Sequence, residues 1–155
     1  MAPKNPAGIR QSTSKFGVSQ GQFVMKYPDK YIGNNPPIYR SSWEKDFMHT
    51  CDENPAITQW AAEPFSIPYR DPVSGNTRNY WPDFLIGYVK KDGTVMHELV
   101  EIKPIKEAII EKAKSKRDRV NLLTNQAKWQ ACNAFCKANG LSFRILTENQ
   151  LYRKK

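Results

Sequence analysis

The sequence predicts a mixed α/β domain, and two observations support this fold class. Segments with the spacing of an amphipathic helix are interspersed with short segments rich in β-branched and aromatic residues. The chain has 155 residues, of which 39% are hydrophobic and 12% aromatic, enough to form the core of one domain. The predicted order is an arm, a helix, three strands, a helical region and a last strand.

An extended, basic arm is expected over residues 1–38, with the folded domain over 39–155. Residues 1–40 contain five of the eleven prolines and four of the eight glycines. Neither the helical nor the strand periodicity persists there, so the segment is not expected to pack as a unit.

The first helix is predicted from Ser41 to Asn54. Ser41 is a good N-cap residue, and Glu44 follows three positions later, which is the spacing of a capping box. The apolar face of this helix would consist of Trp43, Phe47, Met48 and Cys51.

Three strands are predicted after this helix, over Ile57–Tyr69, Tyr80–Val89 and Thr94–Lys103. Pro64 and Pro68 indicate that the first of them is an edge strand or carries bulges. Turn residues fill 71–76, and the segment 90–93 connects the second strand to the third.

Helices dominate the rest of the chain. A basic segment from Ile105 to about Arg119 is predicted to be helical, an amphipathic helix spans Leu122–Asn139, and the last strand is Leu141–Leu146. Cys132 and Cys136 share one apolar helix face with Trp129, which favours core packing over metal binding. Trp60, Trp81 and Trp129 are also expected in the core.

Composition argues against membrane and secreted proteins. No stretch approaches the roughly 20 apolar residues that cross a bilayer. The N-terminal segment lacks the apolar centre of a signal peptide, and three cysteines do not form a disulfide framework. We therefore expect a protein that is neither exported nor membrane-bound.

Charge is unevenly distributed along the chain. The net charge of +9 divides into +5 over residues 1–40, −4 over 41–103 and +8 over 104–155. Basic flanks suit a polyanion such as DNA, and an acidic centre suits a bound cation. The same pattern also arises when charges segregate on a solvated surface, so charge alone leaves both interpretations open.

The residues that could carry chemistry are Asp83, Glu101 and Lys103. Glu101 and Lys103 are two positions apart on a predicted strand, so both point to one face, among apolar neighbours. Charged groups at the end of a buried strand are costly unless they are paired or bind a cation. Asp83 opens the preceding strand, and two carboxylates meeting there would suit Mg²⁺ or Mn²⁺.

The register of the two strands tests this interpretation. A two-residue turn at Asp92-Gly93 would place Asp83 opposite Ile102, on the face away from Glu101. A shared site therefore requires a longer loop within 90–94 or a bulge near Pro82.

At these positions the chain resembles the PD-(D/E)XK nuclease superfamily, through Pro82-Asp83, Glu101-Ile102-Lys103 and Glu44. More specifically, it is similar to the tailed-phage head-completion nucleases in several further segments: YPDK at 27–30, YRSSWEKDF at 39–47, YWPDF at 80–84, VEIKP at 100–104 and FRILTE at 143–148. The end-cutting endonucleases of some transposons share much of this pattern.

The resemblance implies a restriction-endonuclease-like core, with a central mixed β-sheet flanked by helices. It also implies a Mg²⁺-dependent deoxyribonuclease in which Asp83, Glu101, Glu44 and the Ile102 carbonyl hold the metal. Lys103 would serve the attacking water. The expected partners are double-stranded DNA and phage head, portal or neck proteins, in the virion or the host cytoplasm. Candidate DNA contacts are Arg40, Arg78, Lys106 and Lys128.

Other interpretations stay open. Glu44 could be only a capping residue, and Asp83, Glu101 and Lys103 could be ordinary strand-end residues. The protein could be a structural head–tail joining protein with a vestigial site, or a transposase-type or restriction-type endonuclease subunit. Composition does not decide between cutting at ends and cutting internally, nor does it give the oligomeric state.

Overall fold

The computed structural model of this chain describes residues 20–109, 112 and 114–152. At its centre is a four-stranded mixed sheet in the order β3-β6-β7-β8. The strands are β3 (Ile57–Ala62), β6 (Phe84–Val89), β7 (Val95–Ile102) and β8 (Ser142–Leu146). The β3–β6 and β6–β7 pairs are antiparallel, whereas β8 runs parallel to β7. The predicted α/β fold class is confirmed.

Within the described residues, four helices and two small sheets complete the fold. The helices are α1 (Ser42–Glu53), α2 (Ile105–Ala108), α3 (Lys116–Ala138) and α4 (Glu148–Leu151). One two-stranded sheet pairs β1 (Gly21–Gln22) with β2 (Ile38–Tyr39), and the other pairs β4 (Ile67–Arg70) with β5 (Thr77–Tyr80). Pro28–Lys30 form a single 3-10 turn.

The central sheet separates two apolar clusters. On one face, Phe47, Met48 and Cys51 of α1 pack among residues that include Trp60 and Val100. On the other face, Trp129, Cys132 and Cys136 of α3 pack with Leu99 and with the β4–β5 hairpin. Because side chains alternate along a strand, Glu101 follows Leu99 toward the α3 side and Val100 points toward α1. Side chains at the end of β7 near Glu101 can therefore be reached by residues from the α1 side and from the α3 side of the sheet.

Three predicted elements differ from the structure. The strand expected over Ile57–Tyr69 is two strands in different sheets, because Glu63 has a positive φ of 44° and Pro64 follows it. The strand expected from Tyr80 likewise divides, since Tyr80 ends β5 and β6 begins at Phe84, after Pro82.

The basic helical region expected from Ile105 to Arg119 is also interrupted. The short helix α2 ends at Ala108, and the Ser115 hydroxyl accepts a hydrogen bond from the Asp118 amide to begin α3. Residues 110, 111 and 113 of this prediction lie outside the described residues.

Part of the expected arm packs on the domain. Phe23 is buried in the α1-side core, with its ring centroid 6.0 Å from that of Trp60. Asp52 of α1 accepts hydrogen bonds from the backbone amides of Lys26 and Tyr27 at 2.8 and 3.0 Å. Residues 20–38 are therefore held by apolar contacts and by a buried carboxylate, a pairing of distant residues that composition does not indicate. Residues 1–19 of the predicted arm lie outside the described part.

Trp81 is the aromatic residue that sequence reasoning placed wrongly. Trp60 and Trp129 are buried as expected, but Trp81 is 51% exposed. It lies in the irregular connection between β5 and β6, where its neighbours Tyr80 and Pro82 are the buried residues.

Within the described part of the chain, no helix combines the length and apolarity that a membrane span requires.

Candidate active site

The hairpin between β6 and β7 sets the position of the two central carboxylates. Its loop has three residues, 91–93, closed by a hydrogen bond of 2.9 Å from the Lys90 amide to the Thr94 carbonyl. Gly93 occupies the left-handed region with a φ of 86°, which a residue without a side chain adopts without strain. Phe84 consequently pairs with Val100, so Asp83 and Glu101 are the next residues outward from this pair on either strand. The longer loop that a shared site required is present.

Asp83 and Glu101 form a pair of neighbouring carboxyl groups. An Asp83 oxygen, Oδ2, accepts a hydrogen bond of 2.8 Å from the Ile102 amide, which fixes the side chain against β7. Burial, followed by the neighbouring Glu101 charge, raises the pKa of Asp83 well above its ordinary value. Burial also raises the pKa of Glu101, against the lowering influence of Lys103. Without a cation, such a pair favours holding a proton.

Lys103 contributes a positive charge to the same end of the sheet. Its Nζ lies 3.7 Å from Oε2 of Glu101, and 26% of its side chain is exposed. Glu101 is only 4% exposed. The ammonium group is therefore at the boundary between the buried Glu101 carboxylate and solvent, where it can face an incoming phosphate.

Glu44 approaches from the opposite helical layer. It is the third residue of α1, and its amide donates to the Ser41 hydroxyl at 3.1 Å, while Oε1 accepts from the Arg40 amide at 3.1 Å. The predicted Ser41 N-cap is thus confirmed, whereas the Glu44 carboxylate accepts from the Arg40 amide and not from the Ser41 amide of a capping box. Burial first, and then the Asp83 charge, raise the pKa of Glu44 to about 7. Glu44 is therefore both a capping residue and an electrostatic neighbour of the carboxylate pair.

Tyr80 is the site residue that sequence reasoning missed. Its hydroxyl donates a hydrogen bond of 2.7 Å to Oε1 of Glu101, and the side chain is buried. Burial and then the Glu101 charge raise the pKa of this hydroxyl, so it remains a donor. The sequence signals were its place three residues before Asp83 and within the YWPDF segment at 80–84, neither of which indicates a contact across two sheets.

The four predicted DNA-contacting residues are placed differently from one another. Arg40 forms an ion pair with Glu63, and the Arg78 Nε lies 3.0 Å from Oδ2 of Asp71. Lys106 is exposed on α2. Lys128 is influenced by the charges of the site. Burial, and then the Lys103 charge, lower its pKa, whereas the Glu101, Asp71 and Asp83 charges raise it.

The donor set of Asp83 and Glu101 suits a hard divalent cation. The half-buried Asp83 and the buried Glu101 offer carboxylate oxygen atoms, whose like charges a cation would neutralise. Across residues 20–109, 112 and 114–152, no group of three or more His, Cys, Asp or Glu side chains is arranged so that it could hold a metal ion. Asp83 and Glu101 are the two carboxylates that would begin the ligand set of a cation at this end of the sheet.

Two comparisons relate this chain to known proteins. Residues 54–148 match the family described as TnsA-like endonuclease N terminal. The chain is also 37% identical to the head completion nuclease of Enterobacteria phage T4 over 142 residues, which cover 84% of this chain and 92% of that protein. The matched family segment includes Asp83, Glu101 and Lys103, whereas Glu44 lies before it.

Proposed function

We propose a function from one premise: this chain belongs to the TnsA-like endonuclease family, and most of its length is similar to a phage head completion nuclease. The protein is a phage head-completion nuclease that hydrolyses phosphodiester bonds of DNA. The single observation that carries this proposal is the pairing of the half-buried Asp83 with the buried Glu101, with Lys103 beside them. Ordinary surface carboxylates have no reason to be brought together and desolvated in this way.

The metal is proposed to be Mg²⁺, with Mn²⁺ as a substitute. Asp83 and Glu101 would hold it, with the Ile102 carbonyl as a further ligand and Glu44 as a neighbouring carboxylate from α1. When bound, the cation supplies a Lewis acid that stabilises negative charge on the phosphate oxygens and lowers the pKa of water. Its oxygen-only ligands match the preference of Mg²⁺.

Lys103 is proposed to act on the reacting groups. Its ammonium group is adjacent to Glu101 but partly exposed, so it can orient the attacking water or balance charge on the scissile phosphate. If Lys103 only balanced the charge of Glu101, its side chain would not need to reach solvent. Because the Lys103 side chain is partly exposed, its ammonium group can also interact with water or with a phosphate that enters from solvent.

DNA binding is proposed to rest mainly on phosphate contacts, with low sequence preference. Lys128 is the strongest candidate because the charges of Lys103, Glu101 and Asp83 all influence its pKa, and Lys106 is exposed on α2. Arg40 and Arg78 already have carboxylate partners in Glu63 and Asp71. A DNA phosphate would have to compete with those partners.

The biological setting follows from the relative and remains a proposal for this chain. The substrate is double-stranded DNA, the other partners are phage head, portal or neck proteins, and the process is head completion and head–tail joining. The protein would work in the host cytoplasm during assembly or in the virion.

Cleavage of supercoiled and linear DNA tests the proposed function. The purified protein is incubated with each DNA in Mg²⁺, in Mn²⁺ and in EDTA, and binding of the same DNA is measured in parallel. Nicking or shortening that requires the metal supports a nuclease. DNA binding with neither metal producing a cut would instead favour the structural joining protein.

A further inference from the structure

The β4–β5 hairpin lies outside the central sheet, yet it contributes a contact to the proposed site. Tyr80 is the last residue of β5 and belongs to the α3-side core with Ile67 and Trp129. Its hydroxyl reaches Oε1 of Glu101 at 2.7 Å, across from the hairpin to β7. The two oxygens of Glu101 thus have different neighbours, since Oε2 is the one that lies near Lys103.

We propose that Tyr80 is a positioning residue that fixes the rotamer of Glu101 and leaves Oε2 as the oxygen that faces the cation and Lys103. This inference rests on the proposed function. A carboxylate with both oxygens free could bind a cation through one oxygen or both, or could turn toward Lys103 alone. A hydrogen bond to one oxygen restricts Glu101 to a single-oxygen contact and reduces the conformational freedom lost on binding.

Packing holds Tyr80 in the orientation that this role needs. The ring is buried among Ile67, Leu99 and Trp129, so the hydroxyl cannot swing away from Glu101 without disturbing the core. Lys128 of α3 lies over the same ring, with Nζ 5.8 Å from its centroid. The hairpin and α3 therefore support one carboxylate jointly.

A structural role alone would also explain a buried hydroxyl beside a buried carboxylate. Tyr69 provides the matched control, because Lys128 lies over its ring at the same distance of 5.8 Å and its side chain is also buried. Among the hydrogen bonds of the described residues, the Tyr69 hydroxyl makes none to a carboxylate of the site. Removing either hydroxyl keeps the ring and its packing.

The experiment compares Tyr80→Phe with Tyr69→Phe and wild type. Mg²⁺ binding is measured without DNA by calorimetry and by the rise in melting temperature, and DNA cleavage is then measured across Mg²⁺ concentrations. Loss of a group that orients a metal ligand typically weakens metal binding by about 10–100-fold. We expect that shift for Tyr80→Phe in both measurements, and a shift below about twofold for Tyr69→Phe on the same reasoning.

An unchanged Mg²⁺ affinity of Tyr80→Phe, with wild-type cleavage, would overturn the positioning role. Equal weakening in both variants would also overturn it, since the effect would then belong to the aromatic pair around Lys128. Failure of the proposed function looks different, because wild type itself would show no metal-dependent cleavage. Calorimetry at low temperature keeps a destabilised Tyr80→Phe folded, so the metal affinity is obtained even when its melting temperature falls.

Discussion

Asp83 and Glu101 lie one residue beyond the Phe84–Val100 pair of two adjacent antiparallel strands, and burial and then the Glu101 charge raise the pKa of Asp83. This relationship depends on a loop of three residues between β6 and β7. A loop of two would shift the register by one position and separate the carboxylates onto opposite faces. The proposed chemistry thus depends on a turn at the far end of the hairpin.

Gly93→Ala tests the turn that sets this register. The φ of 86° at Gly93 is unfavourable for alanine, so the variant should lose about 1 kcal/mol of unfolding free energy. Added side-chain atoms meet no neighbour there, since no heavy atom lies within 4 Å of the position of an added Cβ. Urea unfolding measures the loss. Gly93→Asn is the control, because asparagine tolerates this conformation better, and an equal loss in both variants would contradict the explanation.

Glu44→Gln tests the charge that α1 brings to the site. The pKa of Glu44 is about 7 in the folded protein, above its ordinary value of 4.5, so folding favours the protonated form. Its contribution to stability is present below pH 4.5 and is lost as the pH rises toward 7. In EDTA, the unfolding free energy of wild type should therefore fall by on the order of 2 kcal/mol, relative to that of Glu44→Gln, as the pH rises from 4.5 to 7. Parallel stability curves for the two proteins would show that Glu44 titrates normally.

Asp83→Asn should separate stability from activity. Burial and the Glu101 charge raise the pKa of Asp83, so ionising this carboxyl group is less favourable in the folded protein than in solution. The variant should be more stable than wild type without metal, and should lose both cleavage and stabilisation by Mg²⁺. Thermal unfolding with and without Mg²⁺ measures both effects. Asp92→Asn in the exposed loop is the matched control, and Mg²⁺ stabilisation that survives in Asp83→Asn would exclude Asp83 as a ligand.

Lys128→Ala tests the proposed contact between α3 and the DNA backbone. Losing one phosphate contact should reduce the slope of log binding constant against log salt concentration by about 0.9. DNA binding is measured in EDTA over a range of salt concentrations. Lys137→Ala removes an exposed charge from the last turn of the same helix and should leave the slope unchanged if that turn lies away from DNA. Equal slopes for wild type and Lys128→Ala would remove Lys128 from the interface.

Local signals predicted the parts of the fold that depend on nearby residues. Ser41 and Glu44 marked the start of α1 because capping acts within one turn. The apolar run of β7 and the apolar face of α3 were equally local. The division of Ile57–Tyr69 was missed because the reversal of the chain at Glu63 depends on tertiary contacts, including the hydrogen bond from its amide to the Asp83 carbonyl.

The site was predictable only in part for the same reason. Asp83, Glu101 and Lys103 were identified from strand positions and from a family motif, and the structure brings them to one sheet end. Tyr80 reaches Glu101 from another sheet, and Lys128 reaches the same region from a helix 25 residues after Lys103 in the sequence. Contacts of this kind leave no periodic pattern.

Lys103→Ala, compared with wild type and Lys91→Ala, tests the central claim most directly. Lys91 is an exposed lysine in the loop at the other end of the same hairpin, so its removal matches the change in charge without touching the site. Metal-dependent cleavage and DNA binding in EDTA are measured for all three proteins. We expect Lys103→Ala to lose at least about 100-fold in cleavage rate while it still binds DNA, and Lys91→Ala to cut as wild type does. Cleavage by Lys103→Ala at the wild-type rate would show that the Asp83–Glu101–Lys103 cluster is not where DNA is cut.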